Sequence, residues 1–102
     1  MRTDNQRLWD SYARVLRARD RSPRTIESYR LAATELDGHL KRDLTTATRD
    51  DIAGYLAKRL TQISDTTVAI RFRSLRAFFY WHAAEDLIAK SPMAGMTEPS
   101  VS

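Results

Sequence analysis

Apolar side chains recur along this chain at spacings of three and four residues rather than two. The residues that interrupt helices are scarce, three glycines and three prolines in 102 positions. Spacing near 3.6 lays apolar groups along one face of a helix, whereas a half-buried strand alternates. The pattern predicts an all-α fold, a compact bundle of four or five helices. The length suits one domain that buries a single core without staples.

Four helical segments follow from the phase of the apolar positions. Helix A is expected over residues 4–19, with Leu8, Tyr12, Val15 and Leu16 as its stripe and Trp9 alongside. Arg7, Arg14, Arg17 and Arg21 fall on its opposite face, with Asp10 placed to pair with Arg14. That face is either solvated or turned toward a phosphate or a partner. Helix B starts at "SPRT", where Ser22 suits the N-cap and Pro23 the first helical position, whose N–H has no helical partner anyway. Ile26, Tyr29, Ala33, Leu36 and Leu40 form its core stripe, and Arg24, Thr25, Ser28 and Ala32 its opposite side.

Helix C starts at "TRDD", capped by Thr48, with Asp50 and Asp51 where the helix dipole favours negative charge. Ile52, Tyr55, Leu56 and Leu60 are its inward positions, and Gly54 suggests close packing against a neighbour. Its acidic start repels phosphate. Helix D, "SDTTVAIRFRSLRAFFYWH", is capped by Ser64 or Asp65. Val68, Phe72, Leu75, Phe79 and His82 share its core face, flanked by Phe78. Thr66, Thr67, Ile70, Arg73, Ser74, Ala77 and Trp81 lie on its far side, and Arg71 and Arg76 on the two borders, where stems pack and heads reach out.

Composition narrows the function. Seventeen basic against thirteen acidic side chains give a net charge of +4, and fourteen of the basic residues are arginine, which matches phosphate forks best. No cysteine is present, so disulfides and thiolate metal sites are excluded. No apolar run approaches the roughly 18 residues of a membrane span, and the polar start is no signal peptide, so a cytoplasmic location is expected by elimination. His39 and His82 lie too far apart to start a metal site, and no cofactor is expected. "HLKR" at 39–42 matches His-x-x-Arg superficially but has no nucleophile or second basic cluster assignable beside it. There is no glycine-rich phosphate loop. The outer faces of helices B and D are small and hydroxyl-rich at their N-terminal ends, which with free N–H groups and a positive dipole end suits close approach by phosphate.

"SPRTIESYRLAATELDGHL", "LTTATRDDIAGYLAKRL", "SDTTVAIRFRSLRAFFYWH" and "DLIAKSPMAGM" together resemble the N-terminal core-binding (SAM-like) domain of tyrosine recombinases, or phage integrases. The family's helix B reads Ser-x-x-Thr, an aliphatic, two variable residues, then Tyr-Arg. Its helix D carries Leu-x-x-Leu-Arg-x-Phe-Phe/Tyr, with Phe72 here in the first leucine position. Ser91 stands where the family has asparagine before proline, His39 where a large aromatic is usual, Ile70 where a basic residue is frequent and Ala69 where a polar one is. Each motif is weak alone, and the order and spacing are what make the resemblance specific.

The resemblance implies a helical domain over residues 1–96, with 97–102 starting a linker to a catalytic domain that this sequence does not contain. The domain would clamp double-stranded DNA opposite the catalytic domain at the recombination site, with other recombinase protomers in a tetrameric synapse. Helices B and D would face the DNA, making Arg24, Thr25, Ser28, Thr66, Thr67, Arg71, Arg73, Ser74 and Arg76 the candidate contacts. No residue here maps onto the family's catalytic set, so no activity, metal or small-molecule substrate is expected of the chain by itself. Two other readings stand beside this one. Trp81, Ile70 and Trp9 could form a patch for a protein partner, making the chain a helical interaction domain. A helix-turn-helix regulator fits less well, because no short turn joins two helices in the required way.

Overall fold

The computed structural model describes residues 1–101. Four α-helices and one short 3₁₀ turn appear in order: α1 Thr3–Ala18, α2 Pro23–Leu40, the turn Leu44–Thr46, α3 Arg49–Leu60 and α4 Asp65–Ala84. No strand is present among the described residues, and the radius of gyration is 12.9 Å, as expected of one domain this size. The all-α expectation is borne out. Four α-helices form rather than five, and residues 85–96 make a chain of turns.

Local chemistry sets the helix ends. Ser22 and Ser64 each accept a hydrogen bond from the backbone N–H three residues on, Thr25 and Thr67, at 3.2 Å. In both cases the serine and threonine hydroxyls also bond each other, at 3.0 and 2.9 Å. Ser64, not Asp65, is therefore the cap of α4. Thr48 and Asp51 form a reciprocal capping box on α3. The Asp51 carboxyl is held below its usual range by the Thr48 backbone N–H and by the Thr48 hydroxyl and Arg42. α1, α2 and α4 are each followed by a residue in the left-handed region, Asp20, Lys41 and Asp86, which turns the chain back at once.

α4 runs through the middle of the domain and packs most extensively against α2. Val68, Phe72, Leu75, Phe79 and His82 are fully buried as predicted, with Phe78 beside them. Two members of the predicted outer face are buried as well. Trp81 packs against Tyr12 of α1 in a tilted arrangement, with ring centroids 5.0 Å apart, and the Ser74 hydroxyl donates to the Ile70 carbonyl at 2.9 Å. A central helix is covered on more than one side, so its amphipathic phase understates its burial. Ala32, assigned to the outer side of α2, is likewise buried for this reason.

Three smaller expectations are corrected. Leu60, the last residue of α3, is exposed, while its neighbour Arg59 turns toward Glu35 of α2. Gly54 is exposed too, and a methyl group there would meet His39 Nε2 at an ordinary 3.8 Å, so close helix packing does not explain it. Asp10 and Arg14 do not pair. Asp10 accepts from Gln6 at 2.9 Å, and Arg14 donates to Ser11 at 3.2 Å.

Two polar junctions hold the helices in register. Buried Asn5 donates to Asp37 at 2.6 Å and to the Arg42 carbonyl at 3.0 Å, and accepts from the Leu44 N–H at 2.9 Å. It thereby ties α1 to the corner after α2. Glu35 of α2 accepts from the Tyr55 hydroxyl at 2.6 Å, from Arg59 at 3.2 Å and from Arg71 at 3.3 Å. A single carboxylate thus joins α2, α3 and α4. The tail returns over the bundle: Met93 is buried, and Ser91, at the usual asparagine position, accepts from the Met93 N–H at 3.1 Å.

Candidate nucleic-acid interface

The two "Ser-x-x-Thr" starts have the same hydroxyl geometry but different charge. The first turn of α2 carries no acid, whereas that of α4 carries Asp65. At α2, Pro23 has no N–H and Ser22 takes those of Thr25 and Ile26, which leaves the Arg24 N–H at the positive end of the dipole. The start of α2 is therefore the better seat for an anion of the two.

Packing of α2 against α4 brings five predicted residues to one groove of about 350 Å³: Arg24, Thr25 and Ser28 from α2, and Arg73 and Ser74 from α4. Tyr29 and Ile70 complete its walls. Sequence phase had placed Tyr29 in the core, yet it is half-buried and stacks on Tyr12, with planes 5° apart. Short side chains form the floor and guanidinium groups stand at the edge. Arg73 is the more constrained of the two arginines: its Nε lies 3.3 Å from the Ala69 carbonyl and 3.1 Å from a Glu98 carboxylate oxygen.

The other four candidates do not line this groove. Thr66 and Thr67 sit one turn earlier on α4, Thr66 exposed and Thr67 half-buried with its hydroxyl on Ser64. Arg71 has only 14% of its side chain exposed and is held by Glu35. Arg76 lies over the Phe72 ring at 5.5 Å from its centroid, a cation–π contact on the border of the helix. The carboxylate that captures Arg71 comes from another helix, so no spacing within α4 announces it.

The "HLKR" stretch does not converge. Arg42 donates to Asp51 at 2.5 Å and to Thr46 at 3.0 Å, while His39 lies edge-on to Tyr55 with centroids 5.9 Å apart. Among the described residues, no three metal-ligating side chains come together and no helix is long and apolar enough to cross a membrane. The predicted partner patch is dismantled by burial: Trp9 and Trp81 are 4% and 9% exposed, leaving Ile70 by itself.

The family described as phage integrase, N-terminal SAM-like domain, matches residues 9–86, about three quarters of the chain. The chain belongs to that family. The match spans the second half of α1 through α4, and so includes both walls of the groove. No curated protein and no solved structure shows significant similarity to the chain. As an integrase N-terminal SAM-like domain it is a module of the tyrosine-recombinase type, and its four-helix architecture agrees with that assignment.

Proposed function

We propose that this integrase-type domain binds duplex DNA through the α2–α4 groove, as the DNA-clamping module of a site-specific recombinase. The observation that carries this reading is the meeting of Arg24, Thr25 and Ser28 with Arg73 and Ser74 across two helices. Small groups let a phosphodiester backbone come close, the start of α2 offers a free N–H and a positive dipole end, and two guanidinium groups supply charge. Phosphate contacts of this type position a duplex without reading its sequence.

The module has no catalytic part in this reading. Strand cleavage belongs to a separate catalytic domain, and other recombinase protomers complete the synapse. Residues 97–102 are read as the start of the connection to that domain, with Ser102 outside the described residues. The cytoplasm, where such a protein meets DNA, is the expected location.

Titration of a duplex with the chain at low salt tests the proposal. Weak binding is expected, on the order of 10⁻⁴–10⁻⁶ M, falling with salt at a log–log slope of roughly −0.9 per phosphate contacted. Arg24→Ala combined with Arg73→Ala should weaken it and flatten the slope. An unmodified chain that ignores DNA, or that binds without salt dependence, sinks the reading.

A further inference from the structure

Most of the fourteen arginines already have a partner. Arg7, Arg30, Arg42, Arg59, Arg71 and Arg73 are in ion pairs, Arg14 and Arg49 donate to Ser11 and the Ala94 carbonyl, and Arg76 covers Phe72. Of the five left without an ion pair or side-chain hydrogen bond among the described residues, Arg17, Arg19, Arg21 and Arg24 fall within eight consecutive positions, "RARDRSPR". That stretch is the turn from α1 into α2, and its only acid is Asp20.

The turn is well defined. Asp20 takes a left-handed conformation, φ 56°, its N–H bonds the Arg17 carbonyl, and the Arg21 N–H reaches back to the Leu16 carbonyl, both at 3.0 Å. Arg19 and Arg21 thereby flank the mouth of a cavity of about 370 Å³ between α1, α2 and α4, walled by Tyr12, Tyr29, Tyr80 and Trp81. Tyr29 also lines the α2–α4 groove, so cavity and groove share a wall. Burial pushes the Tyr12 hydroxyl up to about 12, with Arg19 and Arg21 close enough to pull against that rise. Glu85 stands on the cavity lining too, which favours an anion seated on the arginine side.

We propose that the α1–α2 turn is a second phosphate site, where Arg19 and Arg21 hold adjacent backbone phosphates of a DNA strand running on from the α2–α4 groove past Tyr29. The inference rests on the DNA-binding reading above and extends it to the α1–α2 turn, whose Arg19 and Arg21 lie outside the candidate contacts on helices B and D. A strand is favoured over a small anion because the unpaired guanidinium groups continue from Arg17 to Arg24 rather than closing around one point.

The test compares two double variants in duplex titrations across a salt series. Arg19→Ala with Arg21→Ala should reduce the magnitude of the log–log slope by about two, near 0.9 per phosphate, and Arg19→Lys with Arg21→Lys should largely retain it. Arg24→Ala with Arg73→Ala reports on the groove. If the groove variant loses binding while the turn variant keeps affinity and slope, the second site is overturned and the DNA reading stands. If neither variant changes binding, both fail. Substituting phosphate for chloride at matched ionic strength separates the two sources of anion. Competition by inorganic phosphate that disappears with Arg19 and Arg21 would assign the turn to a free anion and overturn the strand assignment. Both residues are exposed, so the variants are expected to fold, and thermal melts verify this.

Discussion

Arg73 of α4 and Glu98 of the tail form an ion pair, with Nε 3.1 Å from Oε1. One wall of the α2–α4 groove therefore carries its own carboxylate, supplied by the segment after the helices. A carboxylate and a phosphate compete for the same guanidinium fork. The pair is partly solvated, with 53% and 37% of the two side chains exposed, so its strength lies in the surface range of about 0.2–1 kcal/mol. Glu98→Gln should raise duplex affinity at low salt by up to about fivefold, the equivalent of that energy, and leave the melting temperature nearly unchanged. The same substitution on an Arg73→Ala background should do much less. Equal gains in both backgrounds would show that Glu98 acts through general charge and not through Arg73.

Arg71 behaves differently from Arg73 although both lie on α4. Its guanidinium belongs to the Glu35 junction with Arg59 and the Tyr55 hydroxyl, whose pKa is raised by burial first and by the bond to Glu35 second. Arg71→Ala should lower stability by about 1–3 kcal/mol, the range for removing a hydrogen-bonded charged partner, while the salt slope of DNA binding stays unchanged. Glu35→Ala should cost more, since three donors lose their acceptor together. Denaturant melts measure the first effect and duplex titrations the second. A flattened salt slope in Arg71→Ala would return Arg71 to the DNA contacts.

His82 is fully buried against Phe78 and Phe79, with ring centroids 4.2 and 4.9 Å away, and neither ring nitrogen has a protein partner. Desolvation brings its pKa down from 6.5 to about 4, opposed weakly by Asp43. Between those values the unfolded chain binds a proton that the folded chain refuses, so stability falls as pH drops from 6.5 to about 4 and levels below that. The loss attributable to this residue is about 3 kcal/mol, at 1.4 kcal/mol per pKa unit. His82→Leu should flatten that part of the stability–pH curve. A curve equally steep without the imidazole would assign the acid sensitivity elsewhere.

Helix positions were legible because they depend on local chemistry: the Ser22, Thr48 and Ser64 caps and the Val68–Phe72–Leu75–Phe79 phase lie within a few residues of what they control. Which faces would be covered was less so. Ala32, Ser74 and Trp81 read as outer residues because phase describes one helix, while burial depends on how many neighbours surround it. The Asn5 and Glu35 junctions were invisible for a related reason, since their partners lie 20–39 residues away. The groove was half legible. The small α2 and α4 faces do meet, but the loss of Arg71 to Glu35 and the approach of Glu98 to Arg73 arise only when the chain is folded.

Gly54 offers a test of packing on α3. It lies inside the helix with ordinary right-handed geometry, so glycine's freedom in the unfolded chain is lost on folding without any compensating turn. An added methyl group would have His39 Nε2 at 3.8 Å as its only near neighbour, a van der Waals contact with an exposed ring. Gly54→Ala should therefore stabilise the domain by about 0.4–1 kcal/mol, mainly by restricting the unfolded chain. In a domain this size each kcal/mol moves the melting temperature by roughly 4–8 °C, so a rise of a few degrees is expected in a thermal melt. Gly54 and the groove share no lining residue, so duplex affinity should not change with it. A fall in melting temperature would mean that the bare backbone at Gly54 is required for α3 to pack, as the sequence alone had suggested.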